Sequence, residues 1–145
     1  METWLIYGLA AALFLGISGF LIKLAAGKDG LEPHVVGMLV ALGALAVLGS
    51  YYLIESKGNF SMPTNSMAAL AAIGSGLSFG IGAAIVYNGF KLGANASQMI
   101  PIYNMNTLLV VILAIFLLRE LPNPEQAVKI VVGAVLMMVG AILVS

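Results

Sequence analysis

The polar side chains that could take part in chemistry are concentrated in one apolar segment, Ala96–Leu118. Amide, hydroxyl and phenol groups are costly at the depth of a bilayer, so their concentration in such a segment needs a reason. With about 100° of rotation per residue, one arc of roughly 160° collects most of them. The arc consists of Ser97, Pro101, Tyr103, Asn104 and Thr107. We predict that Tyr103, Asn104 and Thr107 bind a substrate.

Proline at position 101 removes one helix hydrogen bond, which predicts a kink beside Asn104. A kink next to an amide and a phenol can form the wall of a binding site. The alternative is that Asn104 and Asn106 only hydrogen-bond other helices. Asn106 falls outside the arc, and we expect it to meet a neighbouring helix.

Two further residues are weaker candidates for the substrate site, Ser78 and Lys23. Serine hydroxyls in membrane helices usually bond to carbonyls of their own helix. Lys23 continues the stripe of Gly16 and Gly19, and it either reaches the membrane interface or faces a cavity.

Catalytic and metal chemistry are disfavoured by what the chain lacks. It has no cysteine and one histidine, His34, which has no partner in the sequence for nucleophilic catalysis. Its carboxylates have no metal-ligand spacing. No Asp or Glu lies in the middle third of a span, which disfavours antiport through a buried carboxylate. We predict a protein that is not an enzyme and that has no metal and no cofactor.

The composition indicates that the chain is surrounded by lipid and not by water. Of 145 residues 61% are hydrophobic and 8% are charged, whereas soluble domains have about a quarter charged residues. A net charge of zero without a basic patch also argues against nucleic acid as a partner.

Five segments have the length of about 20 residues that crosses a bilayer as a helix. They are Trp4–Leu24, Val35–Ile54, Met67–Tyr87, Ala96–Leu118 and Ala127–Val144. We predict an all-α integral membrane protein with a single five-helix domain.

Small residues at helical spacing predict how these helices associate. In lipid the hydrophobic effect does not drive helices together, so they associate where small side chains let their backbones approach closely. The first span has Gly16 and Gly19 on one stripe, and the third span has Gly74, Ser78 and Gly82 at four-residue spacing. We interpret both stripes as helix-packing surfaces, and the alternative is that they line a permeation groove.

From Ala94 to Ser145 the sequence resembles the last two spans of an EamA-type repeat of the drug/metabolite transporter superfamily. The likeness is carried by a small-residue entry, a long apolar span ending in Leu118-Arg119-Glu120, and two glycines, Gly133 and Gly140. The first three spans fit the repeat more loosely. Family members often have proline where this sequence has Thr107, and glycine where it has Arg119.

The resemblance implies a transporter in which the third and fourth spans, with parts of the first, line a central cavity. It implies that Glu120 is a structural residue at the end of its helix. Most relatives have two repeats in one chain, and this chain resembles the single-repeat, five-span members.

A single repeat is half of a transporter with inverted repeats. An antiparallel homodimer would supply the other half if the chain inserts in both orientations, which depends on the Lys/Arg bias between loops. The six basic residues divide three against three. They are Lys57, Arg119 and Lys129 on the N-terminal side, and Lys23, Lys28 and Lys91 on the other. This equality predicts dual topology.

The sequence therefore predicts a transporter of a small polar or amphipathic solute, working by alternating access in the plasma (inner) membrane. The alternative is a membrane assembly or helper subunit that does not transport and that uses its small-residue stripes to bind another protein.

Overall fold

All regular structure in the described part of the chain is α-helical. The computed structural model describes residues 3–59, 64–119 and 123–144. Five of its helical segments are long and apolar enough to cross a membrane. The helices are α1 (Thr3–Ala26), α2 (Pro33–Ser56), α3 (Ser66–Lys91), α4 (Ala96–Tyr103), α5 (Asn106–Leu117) and α6 (Pro124–Val144). The predicted all-α membrane fold with five spans is confirmed.

The helix starts follow the residues that the sequence offers for them. Proline occupies the first turn of α2, where its missing N–H breaks no helical bond. The helix α6 likewise begins at Pro124. The side chain of Asn65 caps α3, since its Oδ1 accepts a hydrogen bond from the amide of Ala68 at 3.1 Å.

Three of the five spans extend beyond their predicted ends. The third span was predicted to end at Tyr87, but α3 continues to Lys91, whose ammonium group is held by the connector between α1 and α2. The helix α2 continues to Ser56 and ends at Lys57, whose φ of 50° is left-handed. Such a residue ends a helix because its backbone turns away from the helical path.

The fourth span differs most from its prediction as one helix, Ala96–Leu118. The structure divides it into α4 and α5 at Asn104 and Met105. Together the two helices still cover Ala96–Leu117, which is long enough to cross a bilayer. The interruption therefore lies inside the membrane-spanning segment.

The chain divides into two compact units, Met1–Gly93 and Ala94–Ser145. In unit 1, α3 packs against both α1 and α2. In the described part of this unit, all the buried hydrophobic residues lie where α1 ends, α2 begins and α3 ends. They are Ala26, Val36, Tyr87 and Phe90. Unit 1 is thus packed tightly at one end of its helices.

Unit 2 contains α4, α5 and α6, and α4 packs against α6. Its buried hydrophobic residue in the described part is Ala141. The remaining apolar side chains of both units are largely exposed, for example Leu109 and Phe116 at 58% and 76%. Such exposure is what a bilayer, rather than water, accommodates.

Candidate functional site

At the interruption of the fourth span, backbone amides donate to carbonyls three residues back along the chain instead of four. The amide of Met105 donates to the carbonyl of Ile102, three residues back, at 3.1 Å. The amides of Thr107 and Leu108 also donate three residues back, to the carbonyls of Asn104 and Met105 at 3.1 and 3.0 Å. Bonds of this 3₁₀ type tighten the chain locally, and inside a helix they often mark a hinge.

Thr107 adds a side-chain bond to this turn. Its Oγ1 donates to the carbonyl of Asn104 at 2.9 Å and also lies 3.8 Å from the Sδ of Met137 on α6. The hydroxyl therefore competes for the backbone carbonyl at which the α-helix is interrupted. The break thus lies three residues after Pro101, at a carbonyl that the hydroxyl of Thr107 also bonds.

The predicted site residues of unit 2 lie together at this break. Asn104 and Thr107 are exposed and Tyr103 is half-buried. In the described part of the chain, the carboxamide of Asn104 makes no hydrogen bond of its own, since only the backbone amide and carbonyl of this residue are engaged. At a rise of 1.5 Å per residue, Asn104 and Thr107 stand about 12 and 16 Å from the start of the span. Both are near the middle of the span Ala96–Leu117.

The arrangement can bind a solute through hydrogen bonds. A carboxamide supplies two donors and an acceptor, while the hydroxyl and the phenol each donate and accept. An unpaired amide at this depth is costly, so Asn104 requires a partner there. None of the described residues of the break, 103–107, is charged, which suits a neutral or zwitterionic solute better than a bare cation.

The predicted site residues of unit 1 lie apart from each other. The ammonium group of Lys23 stands 5.3 Å from the centre of the Phe90 ring, within the range of a cation–π interaction. Ser78 is exposed on α3, twelve residues before Phe90. This separation corresponds to about 18 Å along the helix. The structure therefore does not place Ser78 beside Lys23.

A cluster that the sequence analysis missed lies at the tightly packed end of unit 1. The Nζ of Lys91 donates to the carbonyl of Gly30 at 2.9 Å and lies 3.3 Å from Oε1 of Glu32. A Cβ on Gly30 would collide with the carbonyl of Ala25, so glycine is required at this tight connector. The contacts tie the end of α3 to the loop between α1 and α2. We name Lys91, Gly30 and Glu32 the interface latch.

We expect Lys91→Met to destabilise the protein by about 1–2 kcal/mol, because the Gly30 carbonyl loses a charged donor and Glu32 loses its cation. In detergent, the unfolding midpoint should fall by about 3–6 °C. The matched control is Lys129→Met, which removes an exposed ion pair with Glu125 on α6. Equal effects of the two substitutions on the midpoint would contradict the latch.

The predicted packing residues occupy different environments. Gly19 is buried on α1, whereas Gly16, Gly74 and Gly82 each face open space where a Cβ would stand. Ser78 is exposed as well. A neighbouring row of α3 faces α2 instead, with Gly76 and Gly80 in a groove between the two helices. Glu120, for which the resemblance implies a structural role at the end of its helix, lies outside the described part of the chain.

Five apolar spans, one of them interrupted by polar residues, define a multi-pass membrane protein. The sequence model of the EamA-like transporter family matches residues 2–145, and the chain belongs to this family. It is 28% identical over 145 residues to an uncharacterized protein of Methanocaldococcus jannaschii, covering 100% of this chain and 98% of that protein. No solved structure matches the chain.

Proposed function

We propose that this member of the EamA-like transporter family moves a small neutral or zwitterionic solute across the plasma membrane by alternating access. The observation that carries the proposal is the break at Asn104, where a carboxamide without its own hydrogen bond stands near the middle of the span. Interrupted spans form the binding sites of many transporters because they place polar groups at this depth. Tyr103 and Thr107 complete the proposed site, and Ser78 and Lys23 of unit 1 are proposed as further contributors.

The proposal requires that water reach the polar arc of the fourth span. Single cysteines at Asn104 and Thr107 should react with a hydrophilic maleimide, because thiolates form only where water is present. The control is a cysteine at Leu109, which is 58% exposed, of similar depth and on the opposite face of the helix.

In native membrane vesicles we expect Asn104→Cys and Thr107→Cys to react at least about tenfold faster than Leu109→Cys. A tenfold ratio corresponds to a difference of about 1.4 kcal/mol in the free energy of hydrating the thiolate at the two faces. The absence of native cysteine keeps the background low. Equal rates at all three positions would mean that the arc faces lipid or protein, and the proposed site would then be wrong.

We further propose that the transporter is an antiparallel homodimer. One repeat provides half of an inverted-repeat carrier, and an equal division of basic residues leaves neither orientation favoured. The two halves would then come from two copies of the same chain in opposite orientations.

Dual topology is tested with single cysteines in the two connectors of unit 1, at Asp29 and at Asn59. We expect about half of each population to react with an impermeant maleimide from either side, since equal basic charge gives no orientation bias. The same vesicles made permeable provide the total reactivity. If each cysteine reacts from one side alone, the homodimer is not antiparallel.

A further inference from the structure

At the break of the fourth span, the hydroxyl of Thr107 has two hydrogen-bond acceptors within reach. Its Oγ1 lies 2.9 Å from the carbonyl oxygen of Asn104 in the same span and 3.8 Å from the Sδ of Met137 on α6. A hydroxyl has a single proton, so it donates to one of these atoms at a time. The carbonyl is the closer and stronger acceptor, and the thioether sulfur of Met137 is the weaker alternative.

The carbonyl oxygen of Asn104 has no place left for the bond that a continuous helix needs. It has two lone pairs, and it accepts from both the hydroxyl and the backbone amide of Thr107, at 2.9 and 3.1 Å. In an uninterrupted α-helix the amide of Leu108 would donate to this oxygen. That amide donates instead to the carbonyl of Met105 at 3.0 Å. The hydroxyl therefore occupies the position of a helical donor.

Transfer of this hydrogen bond to Met137 would vacate that position. Both acceptors surround the same oxygen, so the proton reaches the Sδ by rotation about the Cβ–Oγ1 bond of Thr107. One lone pair of the Asn104 carbonyl is then free for the amide of Leu108. Each residue that changes from 3₁₀ to α geometry turns by about 20° less around the axis, so α5 turns relative to α4.

The two arrangements differ by effects of opposite sign. When the hydroxyl turns to Met137, it exchanges a carbonyl for a weaker sulfur acceptor. The backbone at the same time exchanges a 3₁₀ bond for an α-helical bond, whose geometry is better. Opposing differences of this kind bring two arrangements close in free energy, which is the condition for a protein to populate both.

We propose that Met137 is a positioning residue of the transporter, which accepts the hydroxyl proton of Thr107 and so lets the fourth span alternate between broken and continuous helix. The inference rests on the alternating access proposed above. The broken arrangement presents the carboxamide of Asn104 to the solute, and the continuous arrangement turns α5 away from it. Met137 acts through Thr107 and couples α6 to the solute site.

Met137→Leu tests this role, because leucine conserves the volume of methionine and removes the sulfur. In proteoliposomes with tritiated neutral and zwitterionic amino acids, we expect the turnover of a transported solute to fall about fivefold, which corresponds to about 1 kcal/mol. The KM should change by less than about twofold, because the broken arrangement that binds the solute is retained. Met138→Leu is the matched control, since Met138 is similarly exposed and lies about 100° further around α6.

A second measurement needs no solute. The protein contains eight methionines, and NMR of the protein with 13C-labelled methionine methyl groups reports on each of them. The signal of Met137 is identified by its loss in Met137→Leu. We expect relaxation dispersion of this signal in the native protein and in Thr107→Ser, because helix rearrangements take microseconds to milliseconds. Thr107→Val, which lacks the hydroxyl, should abolish the dispersion.

Native turnover in Met137→Leu, or an equal loss of turnover in Met138→Leu, would overturn the proposal. A Met137 signal without dispersion in the native protein, or with dispersion that persists in Thr107→Val, would overturn it as well. If the native protein moves no solute, the proposed transport fails, and the relaxation experiment alone decides whether the hydroxyl of Thr107 alternates between its two acceptors.

Discussion

Asn104→Leu is expected to abolish solute uptake into proteoliposomes while the oligomer stays intact. Leucine matches asparagine closely in size and removes its hydrogen bonds to the solute. Loss of hydrogen bonds worth about 1.5–3 kcal/mol reduces binding about 10- to 100-fold. The break itself should persist, because Thr107 bonds to the backbone carbonyl of residue 104 and not to its side chain.

The uptake experiment uses a panel of tritiated neutral and zwitterionic amino acids with the native protein, followed by the variant with each solute that is moved. Asn106→Leu is the matched control, since Asn106 is exposed in the same span but about 160° away around the helix. Full activity of Asn104→Leu would remove Asn104 from the site. If the native protein moves none of the panel and purifies with one stoichiometric partner protein, the helper hypothesis is favoured instead.

Phe90→Ala is expected to cause the largest loss of stability of any single truncation in unit 1. The ring of Phe90 is fully buried, and the ammonium group of Lys23 lies over its face at 5.3 Å. Truncation leaves a cavity where α3 meets its neighbours, which in proteins costs about 3–5 kcal/mol. We expect a loss of stability at the low end of this range, about 3 kcal/mol. Unfolding transfers the ring to lipid or detergent and not to water, so less transfer free energy is lost on truncation.

The effect of Phe90→Ala is measured as a fall in the unfolding midpoint in detergent of about 10 °C. Phe14→Ala on α1 is the control, because that ring is 71% exposed and should shift the midpoint little. Lys23→Met removes the cation and keeps the ring, and we expect about 1 kcal/mol from it. A shift for Phe90→Ala no larger than that for Phe14→Ala would show that this end of unit 1 does not hold the helices together.

The number and type of the helices could be predicted because hydropathy alone specifies them. Local signals also mark where α2 and α3 begin, because the missing N–H of Pro33 and the capping side chain of Asn65 act within one turn. The end of α3 could not be predicted in this way. It depends on Lys91 reaching Gly30, and a contact between residues 61 positions apart has no signature in a local pattern.

The distortion of the fourth span was predictable, but its backbone geometry was not. Pro101 and Asn104 indicated a distortion of the fourth span. The position of the break depends on a competition between the hydroxyl of Thr107 and the backbone amides for one carbonyl, which sequence spacing does not settle. The groove between α2 and α3 that Gly76 and Gly80 line was also missed, because the row of Gly76 and Gly80 has the same spacing as the row of Gly74, Ser78 and Gly82.

The buried side chains of unit 1 are concentrated at one end of its helices, so α3 can tilt about that end. From Ser66 to Tyr87, α3 extends about 32 Å away from this end. From Ser66 to Val86 none of its side chains is buried. A tilt of about 10° about the packed end would move the other end of α3 by about 5 Å. In the alternating access that we propose, a rotation too small to disturb Phe90 and the latch would change access to the solute site from one side of the membrane.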